Sequence, residues 1–128
     1  MNYSPIVIFT YNRPKHLINL IKSLEKNKES SNSRLIIYID KYKESKDADL
    51  NNEVVNISKQ NWNFDEVEVI LREENLGVKN NILLGVSEVL KKYKKIIVLE
   101  DDLIVSKAFL NYMNLLLQPL LLVLSDQT

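Results

Sequence analysis

Glu100, Asp101 and Asp102 stand side by side directly after the apolar run Ile96-Ile97-Val98-Leu99. Adjacent carboxylates repel one another and lower stability unless a cation or solvent offsets the repulsion. A divalent cation is the economical answer. Magnesium and manganese suit oxygen donors of this kind and typically bind through one or two carboxylates together with substrate phosphate oxygens. The competing reading makes the triplet a cap for a helix starting near Ser106, since acidic residues gather before helix N-termini.

Phosphate calls for cationic partners, and Arg13 and Arg72 can supply them, because a guanidinium offers paired donors that match phosphate oxygens. Either arginine alone is equally a surface ion-pair residue. Thr10, Tyr11 and Asn12 add polar groups just ahead of Arg13. Tyr11 can pack half-buried or offer a platform for a base, and Asp40 can be a turn residue. His16 is expected at the surface or at the edge of the core. The cluster Lys91-Lys92-Tyr93-Lys94-Lys95 closes a helical pattern, where positive charge complements the helix dipole.

These residues make a site only if the fold brings them together. Four short runs read as strands: Ile6 to Phe9, Leu35 to Ile39, Val67 to Leu71 and Ile96 to Leu99. Three of them are continuously apolar, as strands buried on both faces of a parallel sheet are. Between them, Leu17, Ile18, Ile21 and Leu24 repeat at helical spacing after Pro14. Gly77 opens a second helix with an apolar stripe of Ile82, Leu83, Val86, Val89 and Leu90. Lys41 to Gln60 is polar and reads as a loop and a surface helix. The order predicts one α/β domain, a mostly parallel sheet with helices on both faces, Rossmann-like in layout. In such sheets ligands sit beyond the carboxyl ends of the strands. Thr10 to Arg13, Asp40, Arg72 and the acidic triplet all fall at such ends.

Composition removes several classes of function. Seventeen basic side chains balance seventeen acidic ones in 128 residues, so no global field draws the chain to nucleic acid. The chain has no cysteine and a single histidine, which leaves carboxylates as the natural metal ligands. No Gly-rich dinucleotide fingerprint and no phosphate loop of the Walker type follow the first strand.

Taken together, the motifs resemble the glycosyltransferase-A fold, in particular inverting family 2 enzymes and the related N-acetylglucosaminyltransferase I group. Pro5 to Pro14 looks like the first strand and the nucleoside-contacting turn. Asp40 matches the acid that accepts a hydrogen bond from uracil, and Arg72 with Glu73-Glu74-Asn75-Leu76-Gly77 matches the basic residue and Asn-x-Gly segment before the long helix. Leu99-Glu100-Asp101-Asp102 is similar to the Glu-Asp-Asp form of the metal motif, with Phe109 and Tyr112 in the helix after it. The resemblance implies a metal-dependent, inverting transfer from a nucleotide sugar, with a UDP-sugar as donor and a glycan or lipid-linked acceptor. It assigns Thr10, Tyr11, Asn12, Arg13, Asp40, Arg72 and Asp101 to the nucleotide, with Asp101 on ribose. Asp102 would hold Mn2+ or Mg2+, and Glu100 would contact the donor sugar or the acceptor.

Enzymes of this kind continue well past the metal motif to supply an acceptor pocket and a general base. The chain is therefore expected to be a donor-binding half, cut short at its C-terminus, with Asp126 unsuited to serve as that base. Two rivals remain open: a nucleotide-binding module without turnover, and a receiver-like domain using magnesium in phosphoryl transfer. The start of the chain lacks a charged then apolar leader, which favours a cytoplasmic location. The tract Leu115 to Leu124, broken by Gln118 and Pro119, falls short of the roughly 20 residues needed to span a bilayer. It is expected to be a helix end and a core strand, with self-association or contact with the inner membrane face as alternatives.

Overall fold

The computed structural model describes residues 2–117. Its strands are β1 (Ile6–Thr10), β2 (Arg34–Ile39), β3 (Glu66–Leu71) and β4 (Ile97–Glu100), and its helices are α1 (Pro14–Glu25), α2 (Ala48–Ser58), α3 (Val78–Leu90) and α4 (Phe109–Leu117). Short 3-10 turns, Lys28–Asn32 and Ser45–Asp47, precede β2 and α2. The strands form one parallel sheet in the order β3-β2-β1-β4. The expectations placed on Leu120 to Leu124 and on Asp126 lie outside the described residues, as does any self-association through that tract.

Alternation along β1 divides the core into two layers. Ile6 and Ile8 point to one face, where they meet Leu35 and Ile37 of β2 under Leu17, Leu20, Ile21 and Leu24 of α1. Val7 and Phe9 point to the other face, with Ile36 and Tyr38 under Val89 of α3. Helix α1 has no side-chain cap at its start, a lack worth about 1 kcal/mol. Each of its buried Leu and Ile side chains contributes about 1.5–3 kcal/mol, so packing, and not capping, holds it in place.

Strand order explains why the two faces are covered by different helices. The chain steps from β1 to β2 to β3 in one direction, and α1 and α2 pack on one face. It then returns across the sheet through α3 to β4 on the far side of β1. Crossovers of one hand that travel in opposite directions land on opposite faces. The reversal falls between β1 and β4, and their carboxyl ends diverge there to open a crevice.

Three expectations are corrected. Strand β4 starts at Ile97 and is an edge strand of the described sheet; Val98 is 39% exposed, so β4 is not buried on both faces. The inner stripe of α3 runs through Asn81, Ile82, Gly85, Val86 and Val89, whereas Leu83 and Leu90 face outward. Gly85 explains that rotation, because a Cβ there would lie 2.4 Å from the Phe9 ring. The helix after the acidic triplet begins at Phe109, not near Ser106.

Candidate functional site

A cleft of about 300 Å3 opens at the reversal point between β1 and β4. That volume is at the lower end of the range for small-molecule sites. Thr10, Tyr11, Asn12 and Arg13 form one wall and Glu100 and Asp101 another. Asp40 sits at the end of β2, and Val78, Asn81 and Ile82 of α3 close the remaining side.

Register sets which groups meet. Phe9 pairs with Glu100, so Thr10 lies beside Asp101, and both point to the face that carries α1. The Thr10 hydroxyl donates to Asp101 Oδ2 at 2.8 Å, and an Arg13 guanidinium nitrogen donates to Oδ1. Asp101 is 2% exposed, and this pairing is what makes its burial tolerable. Glu100, one residue earlier, points to the α3 face and is exposed, as is Asp102 one residue later. Repulsion within the triplet is thus relieved by the pairing of Asp101 with Thr10 and Arg13 and by the exposure of Glu100 and Asp102 to solvent. Asp102 and Arg72 are not part of the cleft lining.

Asp40 fastens the loop that leads into α3. Its Oδ1 accepts from the Lys41 and Leu76 amides at 2.9 Å each, and its Oδ2 accepts from Gly77 N at 3.0 Å and Asn75 Nδ2 at 3.4 Å. Four donors fill the acceptor sites of one carboxylate. Gly77 adopts φ 82°, which lets the chain turn from this anchor into α3. Asp40 therefore borders the cleft with its oxygens already engaged.

Arg72 differs most from its expected place. Its Nε donates to Asn81 Oδ1 and one terminal nitrogen to Glu88, each at 2.9 Å, and the guanidinium lies 4.5 Å over the Tyr38 ring. Tyr38 stacks on Phe9 at 5.2 Å, and Phe9 lines the cleft. Arg72 is thus a fastener of α3 and a support for the aromatic wall. Burial is the main force raising the Tyr38 pKa; Glu88 adds to it and Arg72 opposes it.

Three residues that the sequence reading passed over hold the site together. Asp47 accepts from the Tyr11 hydroxyl and from Asn12 Nδ2, both at 3.1 Å. Asn51 donates to the carbonyls of Tyr11 and Asp40 at 2.8 and 2.9 Å, joining the ends of β1 and β2. Asn81 is buried on the inner face of α3. Asn51 shares a helical stripe with Val54, and Asn81 one with Gly85, and that spacing was the available signal. The Tyr11 pKa is raised chiefly by burial, against the opposing hydrogen bond from the Lys43 amide, with Asp47 adding to the rise.

Among the described residues no three acids or histidines lie together as a preformed metal cage. The donors available are the exposed carboxylates of Glu100 and Asp102. Such a set fits an ion that completes its shell with ligand oxygens and not one held by protein alone.

Fold and cleft together define a doubly wound α/β domain with a crevice at the reversal of strand order. Residues 6–118 match the family described as Glycosyl transferase family 2, and the chain belongs to that family. No curated protein matches it as a relative. Among solved structures it is similar to the crystal structure of S. aureus TarS, with 18% identity and a TM-score of 0.52 over 81% of this chain. The chain spans 17% of that protein's chain, and at this identity the likeness concerns the fold.

Proposed function

We propose that this chain binds the donor of an inverting, metal-dependent glycosyl transfer, with a UDP-sugar in the cleft between β1 and β4. The observation that carries the reading is the cleft itself, where the Thr10 to Arg13 turn, Glu100 and Asp101 converge in a member of family 2. Arg13 spends one nitrogen on Asp101 and has further donors to offer a diphosphate. The Tyr11 to Arg13 turn lies against the nucleoside, and Asp101 sits where a ribose hydroxyl could replace Thr10 or Arg13 as its donor. Asp40 and Arg72 act on the donor by holding the walls, through the 75–77 loop and the Tyr38–Phe9 stack. Asp102 and Glu100 would hold Mn2+ or Mg2+, an ion that neutralises charge on a diphosphate leaving group. The sugar in this reading is a hexose or an N-acetylhexosamine, as the sequence resemblance to the N-acetylglucosaminyltransferase I group implies. A glycan or lipid-linked acceptor belongs to the same reading, as does a cytoplasmic site of action.

A second reading, nucleotide binding without turnover, is favoured by the engagement of both buried carboxylates: Asp40 has four donors and Asp101 two. Membership of family 2 replaces the receiver-like alternative.

Calorimetric titration with UDP, UDP-hexoses and UDP-N-acetylhexosamines, with and without manganese, tests the proposal on the native chain and on Asp102→Ala. Asp102 is exposed, so the substitution leaves the fold intact. Metal-dependent binding that the substitution abolishes is expected. Equal affinity in both proteins defeats the metal assignment, and donor binding without transfer or hydrolysis selects the second reading.

A further inference from the structure

A second cavity, about 580 Å3 in volume, lies on the opposite side of Arg13 between the start of α1 and the length of α2. Its floor is aliphatic: Pro14 and Ile18 from α1, Leu50 and Ile57 from α2. Leu50 is 42% exposed in this trough. A space of this size with apolar walls and a few polar groups has the character of a small-molecule site.

Charge around the trough is polarised. Arg13, Lys15 and His16 stand along the α1 rim, and the lone acid of the lining, Glu53, stands on the α2 rim. The Arg13 side chain is 47% exposed, and among the described residues its polar partner is Asp101 alone, which leaves most of its guanidinium donors open. Lys15 and His16 are exposed and make no hydrogen bond or ion pair among the described residues. An anionic group is therefore favoured at the α1 rim and disfavoured beside Glu53.

We propose that this trough binds an amphipathic anion, an aliphatic body with one carboxylate that lies on Ile18, Leu50 and Ile57 and meets Lys15 and Arg13. Because Arg13 and Asn12 line both cavities, an anion here competes with Asp101 for the guanidinium and is felt in the first cleft. That coupling is reciprocal, so the trough is tested with no nucleotide added to the first cleft.

The test uses decanoate as probe, kept below the concentration at which it forms micelles, with decanol and decyltrimethylammonium as uncharged and cationic comparators. Binding to the full chain is followed by amide chemical shifts. Decanoate is expected to shift the amides of Leu50, Asn56 and Ile57 saturably, and those of Thr10 and Asp101 with them. Leu50→Asp and Lys15→Glu should each weaken binding about tenfold, and Glu53→Gln should tighten it. All three side chains are exposed, so the variants keep the fold. No saturable shift in the trough overturns the site. Equal binding of the cationic comparator, or a Glu53→Gln variant that binds no more tightly, overturns its preference for anions. Trough shifts that leave Thr10 and Asp101 still overturn the link through Arg13.

Discussion

Arg13 and Asp101 are unequal partners, and the inequality can be measured. Asp101 is buried whereas the Arg13 side chain is about half exposed, 3% against 47%. Removing Arg13 strands a carboxylate in the interior with only the Thr10 hydroxyl to satisfy it. That loss approaches the cost of breaking a buried pair, discounted because water reaches the Arg13 side, and we expect about 2 kcal/mol for Arg13→Ala. Asp101→Asn deletes the charge but keeps an acceptor for Thr10 and leaves behind an arginine that solvent can hydrate. About 1 kcal/mol is expected there. Urea unfolding of the two variants checks the order, and an Asp101→Asn protein that is the less stable of the two would contradict this account.

Helix α3 is the element that converts loop chemistry into a cleft wall, and its two glycines act by different means. Gly85 lets the helix approach Phe9 and Tyr38; an added Cβ would lie 2.4 and 2.7 Å from Phe9 ring carbons and 3.3 Å from Tyr38. Overpacking costs about 1–3 kcal/mol, while alanine in a helix regains up to about 1 kcal/mol. Gly85→Ala should therefore destabilise by roughly 1–2 kcal/mol and disturb the Phe9 ring signals. Gly77 has open space around its Cα, and its constraint is the backbone, φ 82° and ψ 159°. That region is almost closed to residues with a Cβ, so Gly77→Ala should cost about 1–3 kcal/mol. Thermal unfolding with ring NMR separates the cases, since Gly77→Ala should leave the Phe9 environment near native.

At the level of the molecule, stability is graded from the centre of the sheet outward. Strands β1 and β2 are flanked on both sides and buried along almost their whole length, whereas β4 has a single described partner and every second residue exposed. Amides of β1 and β2 should exchange only on global opening, and those of β4 and α4 at lower free energy. Native-state hydrogen exchange reads this directly; protection of β4 equal to that of β1 would show that the edge is not a separate unit. The acidic triplet thus sits on the looser side of a cleft whose other wall is the most rigid strand. Residues 103 to 110 are nonetheless tied back, by Val105 N to Ser23 Oγ and by Leu110 N and the Ser106 carbonyl to Asn27.

The sequence by itself determined the alternation of strands and helices, the parallel sheet and the strand ends where Thr10 to Arg13, Asp40 and Glu100 to Asp101 meet. Those features follow from local periodicity and from the rule that α/β sheets bind ligands beyond their strand ends. Only the tertiary structure decided which charged groups stay open to a ligand. Arg72 was legible as a cation at a strand end, but its partners Asn81 and Glu88 come from a helix that crosses the sheet afterwards. Asp40 was legible as an acid, but the loop amides that occupy it are 35 to 37 residues further along the chain. A carboxylate or a guanidinium has donors and acceptors enough for several partners, and spacing along a chain does not say which of them folding will bring within hydrogen-bond distance.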